Sequence, residues 1–286
     1  MPAVPIISAP PETHTKLLDL RAELRALGRV LVAYSGGVDS AFLAWVAHDE
    51  LGDEMLAVLA DSPSLARSQM QDAVAFATEQ RIPLLVLETS ELERPEYRRN
   101  DRSRCFHCKD ELFTAMQDYA RQHGFPAVVY GMNLDDQGDY RPGKAAAQQH
   151  SVKAPLLEAG LGKDEIRQLA REAGLRVWDK PASPCLSSRI EYGRPVTLEA
   201  LSAVERGEDA LRRLGFRQCR ARYHGTMVRI EIAGEEMSRA LDPAMAAEFT
   251  RIFKALGFTC VTLDLEGFRS GAMNALLPAA SLAKKT

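Results

Sequence analysis

Ser35-Gly36-Gly37-Val38-Asp39-Ser40 is the segment whose residue types and order point most directly to chemistry. Two adjacent glycines let a backbone turn tightly with its N–H groups facing inward, two serines add hydroxyl donors, and a following helix aims the positive end of its dipole at the same spot. Such a loop holds an anion. A plain strand-to-helix turn capped by Ser40 would need fewer of these residues. No Gly-Lys-Ser/Thr triplet occurs here, so the loop lacks the lysine that commonly grips β and γ phosphates.

Sulfur or metal chemistry is the second possibility. Cys105-Phe106-His107-Cys108 leads into a helix, and Cys185 follows far downstream between Pro184 and Leu186. A C-x-x-C spacing brings two thiolates within reach of one metal or cluster, and Arg102, Arg104 and Lys109 favour the thiolate form. Three thiolates suit a 4Fe–4S cluster with one iron left open, or a zinc site completed by His107 or another residue. A redox dithiol and isolated buried cysteines acting as small hydrophobes are the simpler alternatives, and the charged neighbourhood argues against burial. Cys219 and Cys260 lie in strand-like runs and are expected to pack as small hydrophobes. The neighbouring arginines Arg98, Arg99, Arg102 and Arg104 read as a solvated segment.

Two further groups are candidates. In the stretch from Gly131 to Gly143, Asn133, Asp135, Asp136 and Asp139 could orient a ribose or a metal-bound phosphate. A solvated acidic loop explains them equally well. Arg220 and Arg222 alternate along a strand and so share a face, with Arg229 on the next strand, and paired guanidinium groups clamp a phosphate or carboxylate.

The elements around these residues follow from periodicity. The run from Arg29 to Tyr34 is short and unbroken, as a strand buried on both faces reads, and it ends at the glycines. Helical spacing follows from Asp39 to Leu51. Strands at Met55–Ala60, Pro83–Leu87 and Ala127–Tyr130 alternate with helices at Ser64–Gln80 and Cys108–His123. That alternation predicts a parallel α/β sheet with ligands beyond the carboxyl ends of its strands. Leu134 to His150 reads as an irregular loop, and Lys163–Ala173 as a helix ending at Gly174. Two prolines between Asp179 and Arg189 exclude regular structure there. Beyond a boundary near Arg194, the order becomes helix (Thr197–Leu214), strands (Phe216–Tyr223 and Thr226–Ile232, a hairpin through His224-Gly225), helix (Ala244–Leu256) and strand (Phe258–Leu265). The expected division is therefore an α/β domain over residues 1–194 and a smaller α+β domain over 195–286. The final stretch from Ala279 is expected to fray.

Composition excludes several classes. The chain has 286 residues, 46% hydrophobic and 26% charged, with 36 Lys and Arg against 39 Asp and Glu for a net charge of −3. That balance does not suit bulk binding to nucleic acid, which needs a surplus of cations. No apolar run approaches the roughly 18–20 residues of a membrane span, and the proline-broken start lacks the charged n-region of a signal peptide. Five cysteines without such a signal fit reduced thiols and a cytoplasmic protein.

The SGGVDS segment resembles the PP-loop of the N-type ATP pyrophosphatases, whose signature is SGGxDS. The resemblance implies an adenine nucleotide alpha hydrolase-like fold, cleavage of ATP between its α and β phosphates, and an adenylated substrate. Ser35, Gly36, Gly37, Val38, Asp39 and Ser40 would then cradle the pyrophosphate, with Asp39 on Mg2+ and Gly131, Asn133 and Asp136 toward the nucleotide. Taken with RCFHCK, YGMNLDDQGDYRPG, PASPCLSSRI and LDLEGFRSG, the chain resembles the LarE family of ATP-dependent sulfur transferases over about its whole length, from near residue 15 to near residue 277. Members of that family help build the nickel-pincer nucleotide cofactor of lactate racemase. They adenylate the carboxylates of pyridinium-3,5-biscarboxylic acid mononucleotide and replace the adenylate with sulfur.

One form of the family gives up the sulfur of a single cysteine at the Cys185 position. Another carries the C-x-x-C as well and holds a 4Fe–4S cluster that delivers an added sulfide. Three cysteines point to the cluster form, with Cys105, Cys108 and Cys185 as ligands. By the same resemblance Arg220 and Arg222 bind the substrate nucleotide, with Ser188, Glu208 and Arg189 near them, and the C-terminal domain binds substrate and supports a homo-oligomer. The sulfur donor is left open. A tRNA-thiolating PP-loop enzyme shares the three cysteines, but that substrate demands a basic surface. An ammonia-dependent synthetase shares SGGVDS and needs no such cysteines.

Overall fold

The computed structural model describes residues 9–137 and 142–269. In chain order the elements are α1 (Pro11–Leu27), β1 (Val30–Tyr34), α2 (Val38–Leu51), β2 (Met55–Asp61), α3 (Arg67–Glu79), β3 (Leu84–Glu88), α4 (Pro95–Arg98), α5 (Arg104–His123), β4 (Ala127–Tyr130), α6 (Pro142–Gln149), α7 (Pro155–Glu158), α8 (Lys163–Glu172), α9 (Leu198–Arg213), β5 (Cys219–His224), β6 (Met227–Ile232), α10 (Met237–Ala240), α11 (Pro243–Ala255) and β7 (Cys260–Leu263). The chain divides into two compact units. The first holds residues 1–62, 67–91 and 105–183, and the second holds 63–66, 92–104 and 184–286. The division expected at 194/195 falls inside the second unit. Among the described residues, no helix is long and apolar enough to cross a membrane.

The first unit is built on a parallel sheet in the order β3-β2-β1-β4. All five residues of β1 are buried, as expected of a strand covered on both faces. It pairs with β2 from Val30↔Met55 to Tyr34↔Leu59 and with β4 from Val30↔Ala127 to Ala33↔Tyr130. Leu31, Ala33 and Val58 share one core with Leu112, Phe113 and Met116 of α5 and with Ala146 and Ala147 of α6. Helix α2 packs against β1 and is flanked by α1 and α8, with α7 against α1. Because every strand runs the same way, the segments after β1, β2 and β4 leave from one edge.

Two expectations change in this unit. The segment from Leu134 to His150 is not an irregular loop: a short 3-10 turn covers Leu134–Gln137 and α6 covers Pro142–Gln149. Its glycine and polar residues suggested a loop, but Ala145, Ala146 and Ala147 are strong helix formers, and the last two bury against α5. The helix bearing the cysteine pair begins at Arg104 rather than Cys108, so both thiols lie within its first turns, three residues apart on one face. Asp139 and the terminal stretch from Ala279 lie outside the described residues. The helix α1 is an addition, since the periodicity of the first residues assigned no element there.

The second unit has a three-stranded sheet, β5-β6-β7. The hairpin of β5 and β6 is antiparallel, turns at Gly225 with φ +76°, and is joined by β7 in parallel. The helices α9 and α11 cover it, and Phe216, Phe249, Phe253 and Phe258 fill the core. Gly207 lets α9 approach α11 closely, since a Cβ there would lie 2.5 Å from the Phe253 ring. Thr197 caps α9 by accepting from the Ala200 N–H, and Asp242 caps α11 by accepting from Ala244 and Met245. Backbone bonds tie the early segments in: Leu186 donates to Ser64, Gly193 to Asn100, and Val196 to Arg98.

At the centre of this unit, Arg189 and Glu208 form an ion pair in which both residues are almost fully enclosed, at 1% and 3% exposure. Removing one partner leaves the other charged and buried. Glu208→Ala is expected to destabilise the protein by about 3–5 kcal/mol, and Glu208→Gln by less because its amide oxygen still accepts from the guanidinium. Urea denaturation midpoints of the two variants check the difference, and equal midpoints would contradict it.

Candidate active site

The loop after β1 takes its shape from its glycines and serines. Gly36 has φ +72°, and a Cβ on it would lie 2.6 Å from the Cβ of Ala73 in α3, so conformation and space both demand glycine. The Tyr34 hydroxyl donates to the Ala73 carbonyl at 2.8 Å, fixing the loop's start, and burial pushes that hydroxyl's pKa up. Ser40 Oγ accepts from the Ser35 N–H at 3.1 Å, lies 3.0 Å from Ser35 Oγ and donates to the Gly37 carbonyl at 3.2 Å. Gly37 opens α2 without a side-chain cap, so no cap side chain occupies the first amides of the helix. On the neighbouring strand end, Gly131 presses against this turn: a Cβ there would be 2.8 Å from the Ser40 nitrogen.

A cleft of about 260 Å³ opens beside the loop, lined by Ser35, Gly37, Asp39 and Ser40 and closed by Gly131 and Asp136. Lys109 of α5 and Lys144 of α6 also line it. Asp39 forms an ion pair with Lys163 through Oδ2, while its Oδ1 is buried without a hydrogen-bond partner. Lys163 is the first residue of α8, and its N–H donates to Asp135 at 2.6 Å. The lysines absent from the loop's own sequence therefore come from three other helices. The signal that could have found Lys163 is its place directly after Gly162 at a helix start, in GKDEIR.

Asn133 and Asp136 first serve their own turn. Asn133 Oδ1 accepts from the Asp136 N–H at 3.2 Å, and Asp136 Oδ2 accepts from the Asn133 N–H at 3.3 Å. Asn133 is buried and absent from the cleft wall, whereas Asp136 reaches it.

In the second unit the structure brings together Cys185, Ser188, Glu208, Arg220 and Arg222. Cys185 is half-buried, precedes a 3-10 turn over Leu186–Arg189, and has its Sγ 3.0 Å from Ser187 Oγ. Arg189 holds this turn from behind. Its guanidinium donates to the carbonyls of Pro184 and Cys185 and to Ser188 Oγ, and pairs with both Glu208 oxygens at 2.9 and 3.2 Å. Glu208 also accepts from the Ala221 N–H, so it acts on the cysteine turn through Arg189. Arg222 donates to the Ser188 carbonyl at 3.3 Å and to Glu231 at 2.7 Å, and its Nε is buried without a partner. The Arg220 guanidinium lies 5.0 Å over the Phe268 ring. Burial, and next the nearby Arg189, hold its pKa below the ordinary guanidinium value.

Arg104 corrects an expectation. It is buried rather than solvated, and donates to the Ser187 carbonyl at 2.8 Å and to Asn100, because the cysteine turn needs its carbonyls satisfied. Cys260 is a second correction: it is exposed, as the first residue of the edge strand β7, and does not pack in the core. Cys219 does pack there, and burial pushes its thiol up to about 12, which keeps it protonated and unreactive. Cys105 is exposed and Cys108 half-buried; both belong to the first unit and Cys185 to the second. Among the described residues, no three His, Cys, Asp or Glu side chains are gathered as metal ligands.

No family model matches the chain. It is 43% identical to an uncharacterized protein of Synechocystis sp., over 92% of its own length and 98% of that protein. It is 36% identical to the pyridinium-3,5-bisthiocarboxylic acid mononucleotide synthase of Lactiplantibacillus plantarum, over 94% of its length and 97% of the synthase. A glutamine-hydrolysing GMP synthase of Brucella melitensis is 29% identical over 176 residues, which are 52% of this chain and 33% of that enzyme. The likeness to the thiocarboxylate synthase runs through both units, covering the loop over residues 35–40 and the β5–β6 hairpin, and the chain belongs to the LarE family of pyridinium-3,5-bisthiocarboxylic acid mononucleotide synthases.

Proposed function

We propose that this protein uses ATP to convert the carboxylates of pyridinium-3,5-biscarboxylic acid mononucleotide into thiocarboxylates, a step in making the nickel-pincer nucleotide. The observation that carries this is the extent of identity with the named synthase, 94% of the chain. The GMP synthase likeness covers only 52%, so it supports a shared use of ATP without the second unit's chemistry. In the reaction, a carboxylate oxygen attacks the α phosphorus, pyrophosphate leaves, sulfide attacks the acyl carbon, and AMP leaves.

The residues divide by step. Ser35, Gly36, Gly37, Val38 and Ser40 hold the pyrophosphate through backbone amides and hydroxyls. Lys109 and Lys144 add positive charge along the cleft. Asp39 would hold Mg2+, and its unpartnered buried oxygen suits such an ion. Gly131 leaves room for the nucleotide beside Ser40, and Asp136 faces it. Arg220 and Arg222 clamp the substrate's phosphate or carboxylate, with Ser188 beside them and Glu208 setting the position of Arg189. Residues 195–286 bind the substrate and support a homo-oligomer.

Cys105, Cys108 and Cys185 would hold a 4Fe–4S cluster, a fit that rests on three thiols outside any disulfide. When bound, such a cluster supplies sulfur that can be replenished, whereas a cysteine that gives up its own sulfur acts once. The protein's part is to present Cys105 and Cys108 together on the first turns of α5 and to hold the Cys185 turn in place through Arg189 and Arg104.

Protein reconstituted without oxygen tests the cluster. Cys185→Ala is expected to lose iron and sulfide and to stop multiple turnovers, and full retention of both would sink this assignment. For the clamp, Arg220→Ala is expected to raise KM for the pyridinium nucleotide about 10- to 100-fold, the loss of a charge-assisted contact, with ATP affinity unchanged. An equal loss for ATP, measured by titration calorimetry, would count against a separate substrate clamp.

A further inference from the structure

The two carboxylate oxygens of Asp39 are in different situations. Oδ2 is paired with the Lys163 ammonium, and Oδ1 is buried with no partner. A buried acceptor left unpaired is costly, so Asp39 still demands positive charge with the lysine in place. Lys163 reaches it from a fixed backbone. Its N–H is held by Asp135, and the preceding Gly162 N–H donates to Glu165 at 2.9 Å, whose carboxylate is itself paired with Lys16 at 2.7 Å. Only the flexible side chain of Lys163 has to move for the ammonium to leave Asp39.

We infer that Lys163 is a placeholder cation that imposes an order of binding. In the nucleotide-free protein it neutralises Asp39 and keeps a lone divalent metal off the carboxylate, because metal and ammonium repel across the same oxygens. A polyphosphate changes both sides of that balance at once. It brings a metal for Asp39 and supplies negative charge for the displaced ammonium, in a cleft already lined by Lys109 and Lys144. Metal therefore enters with the nucleotide and not ahead of it. Lys163 acts here as a positioning residue, and the inference rests on the assignment of Asp39 to the metal.

Manganese, with the unbound ion counted by electron paramagnetic resonance, reads this directly on the full chain. Titrated with Mn2+ alone, Lys163→Gln is expected to bind at least tenfold more tightly than the unsubstituted protein. Lys163→Arg, which keeps the charge, should behave like the unsubstituted protein, and adding Asp39→Asn to Lys163→Gln should remove the gained site. With the uncleavable α,β-methylene analogue of ATP present, the unsubstituted protein should bind Mn2+ as well. Should the amide variant fail to fold, Lys163→Met removes the charge at similar length. Equal Mn2+ affinity with and without the ammonium overturns the inference, as does a gained site that survives Asp39→Asn. No pyridinium nucleotide or sulfur source enters these titrations, so a failure to make thiocarboxylate would reject the proposed reaction and leave this result standing.

Discussion

The backbone of Gly131 lies against that of Ser40, so near that a Cβ on the glycine would sit 2.8 Å from the serine nitrogen. This contact sets the spacing between the end of β4 and the first turn of α2, and the cleft exists on its terms. It follows from the parallel pairing of β1 with β4, which sends both strands out at the same edge. Ser40, held in place there, then braces Ser35 and Gly37 through its hydroxyl. Gly36 completes the arrangement on the other side by yielding space to Ala73. Backbone amides can be gathered at one spot only through such close approach, because they cannot reach as side chains do.

The second unit handles charge differently. Four arginines, Arg189, Arg220, Arg222 and Arg229, gather around the cysteine turn and the hairpin, and two of their counter-ions, Glu208 and Glu231, are almost fully buried. A buried guanidinium needs an acceptor for each face of its fork. Arg189 meets that need with Glu208 and the carbonyls before Cys185, so the ion pair shapes the turn that carries the thiol. Glu231 serves Arg222 and Arg229 together. The positive charge that remains suits an anionic substrate without making the chain basic, consistent with a net charge of −3.

Much of this was legible in residue order. The unbroken apolar run before SGGVDS announced a buried central strand, and the observed limits of β4 match the expected ones at Ala127 and Tyr130. The hairpin at His224-Gly225 was equally plain. Patterning failed where a local signal competed with packing. The glycine and polar residues around Gly143 masked the three alanines that make α6 a helix against α5. Arg104 looked like one of a run of solvated arginines, yet it is buried by its bonds to the Ser187 carbonyl and Asn100. Cys260 read as a core residue because strands bury alternate positions, but an edge strand's first residue has neighbours on fewer sides.

By itself the sequence determined the glycine-serine loop over residues 35–40, its place between a buried strand and a helix, the spacing of the cysteine pair and the two arginines on one strand face. These depend on contacts between near neighbours, where periodicity and glycine chemistry are decisive. Only the tertiary structure decided which distant charges answer them. Lys163 lies far along the chain from Asp39, and Glu208 from Arg189. Such pairings are set by how helices dock on sheets, and burial then makes each partner necessary, because a charge removed from water must find its complement wherever the fold supplies one.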